Sequence, residues 1–78
     1  MNCTNYFEHT RMRPDRVGIK TDWIESVILA PDAQHVQPDG RIRKWKRIKE
    51  ADNKYLRVVL LEDGETVHNA FFDRRFTE

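Results

Sequence analysis

The chain has 78 residues, 38% of them hydrophobic and 35% charged, with a formal net charge of +1 at pH 7. A chain of this length forms one domain at most, because it buries only about 60% of the surface that its unfolded state exposes. It contains no apolar stretch near the roughly 20 residues that cross a bilayer and no signal-peptide pattern, and its single cysteine, Cys3, excludes an internal disulfide. We therefore expect a soluble cytoplasmic protein in which residues 1–78 form one domain and residues 1–4 are frayed.

Helical spacing dominates the first third of the chain. Asn5–Arg13 is predicted to form a short helix that ends before a proline, because the residue before proline is disfavoured in the α region. Thr21 and Asp22 are candidate N-caps of a second helix, which is expected to end at Ala30-Pro31. The apolar residues of this second helix recur at helical spacing: Trp23, Ile24, Val27 and Ile28.

After Pro31 the pattern changes to short segments separated by turn sequences such as Pro38-Asp39-Gly40. Three strands are predicted, with a fourth candidate before them: Arg41–Lys49, Tyr55–Leu61 and Thr66–Phe72, preceded by Gln34–Gln37. The segment Tyr55–Leu61 is the most apolar, which predicts the central strand. The predicted fold class is α+β, with two N-terminal helices packed on a three- to four-stranded antiparallel sheet.

Six of the nine residues from Arg41 to Lys49 are basic, in a chain that is almost neutral overall. Alternation along a strand divides this basic run into two faces, one with Arg43, Trp45 and Arg47, the other with Ile42, Lys44, Lys46 and Ile48. Since neither face is wholly apolar, the run is predicted to be an edge strand. Two interpretations of the cations remain open: with Trp45 they bind RNA, or the lysines only protect an exposed sheet edge. Trp45 is equally well explained as a core residue whose neighbours point outward.

Three further residues are candidates for chemistry. Arg57 interrupts the most apolar strand, where a guanidinium needs either an acidic partner, for which Asp73 and Glu62 are candidates, or a phosphate ligand. His9 and His68 have the chemistry of a general acid and base, although a histidine considered alone is more often a surface or hydrogen-bonded core residue. The spacings of His and Cys do not predict a metal site, and no glycine-rich loop predicts a nucleotide cofactor.

Six segments spread over most of the chain form a recognisable pattern: Phe7–Arg13, Arg16–Ile19, Ile24–Pro31, Trp45–Ile48, Tyr55–Val59 and Thr66–Phe76. This pattern resembles small prokaryotic domains related to RelE-like toxins, in the barnase–EndoU–colicin–RelE fold group. The resemblance implies a RelE-like fold and RNA cleavage without metal. It also implies that the helix histidine is His9, the helix arginine Arg13 and the central-strand arginine Arg57. The polar position of the last strand, often threonine in the family, falls on His68 or Asn69, and the near-neutral charge differs from the strongly basic toxins.

The leading prediction is a metal-independent endoribonuclease of toxin–antitoxin or phage type, with His9, Arg57 and His68 as catalytic residues. The predicted RNA-binding residues are Arg13, Arg43, Lys44, Trp45, Lys46, Arg47 and Arg74. RNA and an acidic antitoxin-like protein are the expected partners. The alternatives are a non-enzymatic module that binds nucleic acid or protein, and a small structural domain whose basic strand only protects its edge.

Overall fold

In the computed structural model, which describes residues 1–77, two helices precede a four-stranded antiparallel sheet, so the α+β prediction is confirmed. Neighbouring strands along the chain are neighbours in the sheet, in the order β1-β2-β3-β4. A short 3-10 turn, Lys49–Ala51, follows the second strand. The main elements are α1 (Asn5–Thr10), α2 (Thr21–Leu29), β1 (Ala33–Val36), β2 (Ile42–Ile48), β3 (Lys54–Leu60) and β4 (Val67–Phe72).

Both helices differ from the prediction at one end. The side chain of Thr4 caps α1 by accepting a hydrogen bond from the Phe7 N–H, and the helix ends at Thr10. Beyond it the Arg13 N–H bonds the carbonyl three residues back, which is turn geometry and explains why the helix does not reach Arg13. The N-cap of α2 is Lys20, without a side-chain cap, so the prediction of a Thr21 or Asp22 cap was wrong.

One face of the sheet packs against the helices and forms the core. Alternate side chains of β3 point into this core, and all of them are fully buried. They meet Phe7 of α1 and two residues of α2 spaced three apart, as expected for one helix face. The buried cluster consists of Phe7, Ile24, Val27, Ile48, Leu56, Val58, Leu60, Val67 and Ala70.

The basic run lies on β2, which pairs with β1 on one side and β3 on the other. The prediction that this strand is an edge was therefore wrong, and edge protection does not explain its lysines. Lys44 and Lys46 project from the helix face, where their ammonium groups donate to the carbonyl oxygens of Ile28 and Ala30, both at 2.9 Å. These are carbonyls at the C-terminal end of α2, where cations offset the helix dipole.

The first residues of the chain are not frayed as predicted. The Val67 N–H donates to the Asn2 carbonyl at 2.8 Å, and the Thr4 N–H donates to the Val67 carbonyl at 3.0 Å. This short parallel bridge, centred on Cys3, extends the sheet beyond β4. It also places the Thr4 hydroxyl beside the imidazole of His68.

Candidate functional site

The sheet face opposite the helices, here called the open face, carries a row of side chains that alternate between rings and guanidinium groups. Trp45, Arg57 and Phe71 stand directly opposite one another on β2, β3 and β4. The Arg57 guanidinium carbon lies 5.1 Å from the Phe71 ring centroid and 5.8 Å from that of Trp45. Arg16, from the turns after α1, has its guanidinium carbon 5.3 Å from the Phe71 ring centroid and donates to the Asn69 side-chain oxygen at 2.7 Å. Such cation–π contacts hold guanidinium groups in fixed positions on a partly buried surface.

Arg57 has the acidic partner that its position requires. Its guanidinium lies 3.6 Å from the Asp73 carboxylate, so Asp73 rather than Glu62 is the ion-pair partner. Burial opposes ionisation of Asp73, but hydrogen bonds from Trp45 Nε1 and the Arg75 N–H, with the charge of Arg57, lower its pKa overall. Asp73 is thus a stable anion that orients both Arg57 and Trp45.

The charge of Asp73 does not neutralise all of the arginines near the row. The pKa of Arg57 is lowered by burial and by the positive charge of Arg43, an effect that Asp73 only partly offsets. Within residues 1–77, the Nε atoms of Arg16, Arg43 and Arg57 are buried and have no hydrogen-bond partner. Buried donors without an acceptor are costly, and guanidinium donors match phosphate and carboxylate oxygens. The open face therefore concentrates guanidinium groups, whose chemistry suits an anionic ligand.

A depression of about 460 Å³ adjoins the row on the β4 side. It brings together Arg57 and His68, two of the three predicted catalytic residues, with Arg41 at its rim. Arg41 also lies 3.8 Å from Asp39, in an exposed ion pair that leaves its charge accessible. The lining residues are Tyr6, Gln37, Arg41, Arg57, Val59, His68, Asn69 and Phe71.

His68 is held by two neighbours from the N-terminal part of the chain. Its Nδ1 lies 3.1 Å from the Thr4 hydroxyl oxygen, and its ring stacks on Tyr6 with centroids 4.8 Å apart. Burial, and secondarily the charge of Arg41, lower the pKa of His68 below its ordinary value of 6.5. The imidazole is therefore mainly neutral at pH 7, which is the form that accepts a proton.

His9 does not join the other two predicted catalytic residues. It is exposed on α1 and is not among the side chains that line the depression. Thr4, the N-cap of α1, lies beside His68, and Tyr6 in the first turn of the helix is the residue that reaches the imidazole. His9 follows Tyr6 by three residues, a rise of about 4.5 Å along the helix axis.

The predicted RNA-binding residues are dispersed over the surface. Arg43 and Trp45 lie on the open face, whereas Lys44 and Lys46 lie on the opposite one and contact α2. Trp45 is only 8% exposed because the Phe76 ring stacks on it, so it does not present the free stacking surface that was predicted. Three other predicted residues, Arg13, Arg47 and Arg74, are exposed and do not line the depression.

Sequence reasoning missed several residues of the site: Tyr6, Arg16, Arg41 as a lining residue, and Phe71. Their positions depend on contacts between distant segments, such as the bond from Arg16 to Asn69, and no local motif marks them. Alternation along β4 could have identified Phe71, because it lies two residues after Asn69 and therefore on the same face of the strand.

Among the described residues, no three His, Cys, Asp or Glu side chains are grouped as a metal site, and none of the helices is long and apolar enough to span a bilayer. Comparison of the chain with protein-family models, with curated proteins and with solved structures gave no significant match.

Proposed function

We propose that the protein binds single-stranded RNA on the open face of its sheet. The observation that carries this proposal is the pair of guanidinium groups of Arg43 and Arg57, whose buried Nε atoms have no acceptor among residues 1–77. The charge of Arg43 acts against that of Arg57, so the two groups repel each other across β2 and β3. A phosphate between them accepts hydrogen bonds and offsets this repulsion, which gives charge-assisted contacts.

RNA is favoured over an acidic peptide because rings accompany the cations. Phe71 lies between Arg16 and Arg57, and the stacked rings of Tyr6 and His68 face the same depression. Single-stranded nucleic acids bind such surfaces through their phosphates and through stacking of exposed bases. The resemblance to RelE-like toxins supports the same ligand, and a RelE-like fold is part of the proposal.

Binding can be measured by fluorescence anisotropy with a labelled single-stranded RNA. We expect Arg43→Ala to weaken the affinity about tenfold, since one hydrogen bond to a charged group contributes about 1.5–3 kcal/mol. Lys49→Ala is the matched control, because it removes one positive charge from the same basic run at an exposed position in the 3-10 turn after β2. Equal weakening by the two substitutions would indicate general charge attraction and contradict a site on the open face.

RNA cleavage without metal is a second candidate function, and the neutral imidazole of His68 beside Arg41 and Arg57 favours it. His68 would take the proton of a ribose 2′-hydroxyl as its oxygen attacks the adjacent phosphorus. The P–O5′ bond then breaks, the 5′-oxygen takes up a proton, and a 2′,3′-cyclic phosphate and a 5′-hydroxyl remain. The two arginines would stabilise the charge that gathers on the phosphate oxygens. A cytoplasmic location and an acidic antitoxin-like partner that covers the open face belong to this candidate.

Cleavage is tested by incubating labelled RNA with the protein in EDTA and identifying the ends of the products. We expect cyclic phosphate ends, with the rate reduced about 10²–10⁴-fold in His68→Ala, as for loss of a general base. His9→Ala is the control and should retain the rate, since His9 lies outside the depression. Binding without cleavage in wild type would leave the RNA-binding module as the function.

A further inference from the structure

The C-terminal segment after β4 covers the end of the ring and guanidinium row. Asp73 is fixed by its N–H bond to the Tyr55 carbonyl at 2.9 Å, by Trp45 Nε1 at 3.1 Å and by the Arg57 ion pair. Phe76 is held differently. Its ring stacks on Trp45 with centroids 4.7 Å apart and planes inclined by 15°, and it meets Tyr55 edge-on at 4.9 Å.

The polar contacts of Phe76 are weak by comparison with those of Asp73. Its backbone N–H reaches the Asp73 carbonyl at 3.4 Å, the long end of the hydrogen-bond range. Arg74, Arg75 and Thr77 on either side of it are exposed. The Phe76 ring is therefore held mainly by stacking, whereas Asp73, where the segment starts, is held by polar bonds.

A near-parallel ring at this separation has the geometry of a nucleobase on tryptophan. Trp45 stands beside Arg57, so a nucleotide whose phosphate reaches the guanidinium pair has its base within reach of the indole. Aromatic side chains stack on any base, because every base has a π-face. Displacement of the Phe76 ring exposes the Trp45 indole as a stacking surface, next to the guanidinium groups proposed to bind phosphate.

We propose that Trp45 and Tyr55 form a subsite for an unpaired nucleobase, and that Phe76 occupies this subsite until RNA displaces it. The inference rests on the proposed RNA binding and adds to it a base-binding position and a competing group within the chain. Asp73 remains paired with Arg57 during the exchange and keeps the indole in place through Trp45 Nε1.

The test compares Phe76→Ala and Phe76→Trp with wild type, using a short oligouridylate and an abasic ribose-phosphate chain of equal length. We expect Phe76→Ala to bind oligouridylate roughly two- to tenfold more tightly, as loss of one competing aromatic pair allows, and Phe76→Trp to bind it more weakly. Neither substitution should change the affinity for the abasic chain, which has no base to stack. Phe76→Leu serves as a second variant if Phe76→Ala does not fold, because it keeps an apolar cover but loses the stacking.

Fluorescence separates the subsite from the general binding surface. The protein has two tryptophans, and in a Trp23→Phe background Trp45 alone reports on stacking. Oligouridylate should quench this emission, whereas the abasic chain should not. RNA binding that is unaffected by either Phe76 substitution and does not quench Trp45 would overturn the subsite and leave the proposed function intact. Failure of wild type and all variants to bind either chain would overturn both.

Discussion

At the scale of single residues, the neighbours of His68 fix the orientation of its imidazole and influence its protonation. Its Nδ1 contacts Thr4, a residue that also caps α1, so the ring is oriented by the same side chain that begins the helix. Tyr6 covers one side of the ring, and Arg41 supplies a nearby positive charge. Burial of the ring, and secondarily the charge of Arg41, lower its pKa and favour the neutral imidazole in the folded protein.

This arrangement of His68 predicts that the protein becomes less stable in mild acid. The pKa of His68 is lowered in the folded state from 6.5, so the unfolded chain binds more protons at this residue in mild acid. Its contribution to the free energy of unfolding is complete above the unfolded pKa and is lost as the pH falls through the folded pKa. Urea unfolding from about pH 7.5 to about pH 5 should show this loss, and His68→Gln should remove it. An identical pH dependence in the two proteins would refute the assignment.

At the scale of elements, the junction of α2 and β2 explains two of the six cations in the basic run that appeared to be a binding feature. Alternation predicted correctly that Lys44 and Lys46 share a face with Ile42 and Ile48. The stems of these lysines cross the helix face, and their ammonium groups reach the carbonyls at the end of α2. A strand with lysines on its inner face can therefore lie in the interior of a sheet.

Removing one of these contacts should lower the stability of the protein without changing the proposed affinity for RNA. Lys46→Met keeps the side-chain stem but loses the hydrogen bond to the Ala30 carbonyl and the charge at the helix end. We expect the free energy of unfolding to fall by about 0.3–1 kcal/mol, the usual effect of a cation at a helix C-terminus. Urea denaturation measures this change, with Lys49→Met as the control. A loss of RNA affinity in Lys46→Met would show that the lysine contacts the ligand after all.

The sequence was sufficient for the class and order of elements, because helical and alternating patterns are local. It also indicated that Arg57 needs an acidic partner or a phosphate, and Asp73, one of its two acidic candidates, is the partner in the structure. Local sequence patterns did not predict the contacts between distant segments. The pairing of Asn2 with Val67, the stacking of Phe76 on Trp45 and the separation of His9 from His68 all depend on tertiary contacts. No spacing within one segment encodes them.

At the scale of the whole molecule, the core is one layer of side chains between two short helices and the sheet. The helices have only 6 and 9 residues, so they depend on packing rather than on intrinsic helix stability. A domain of this size has a stability of only about 5–15 kcal/mol. Each buried residue of β3 therefore contributes a large share of the total.

Leu56→Ala tests this dependence, because Leu56 is fully buried where β3 meets the helices. We expect the free energy of unfolding to decrease by about 2–5 kcal/mol, from lost apolar burial and the cavity that remains. Leu29→Ala makes the same chemical change at the end of α2, where Leu29 is 83% exposed, and should alter stability by less than about 0.5 kcal/mol. Thermal and urea unfolding of both variants would measure the difference. Similar losses would contradict the core described above.

The lysine contacts with α2 also limit how strongly ionic strength can affect RNA binding. If all six cations of the basic run neutralised phosphates, the logarithm of affinity would fall with the logarithm of salt concentration with a slope of about −4. Lys44 and Lys46 point to the other face, and Arg41, Arg43 and Arg57 are the arginines proposed to contact phosphates. Three phosphates on a single strand correspond to a slope of about −2. If the protein binds RNA as proposed, its affinity should therefore fall less steeply with salt than the six cations of the basic run suggest.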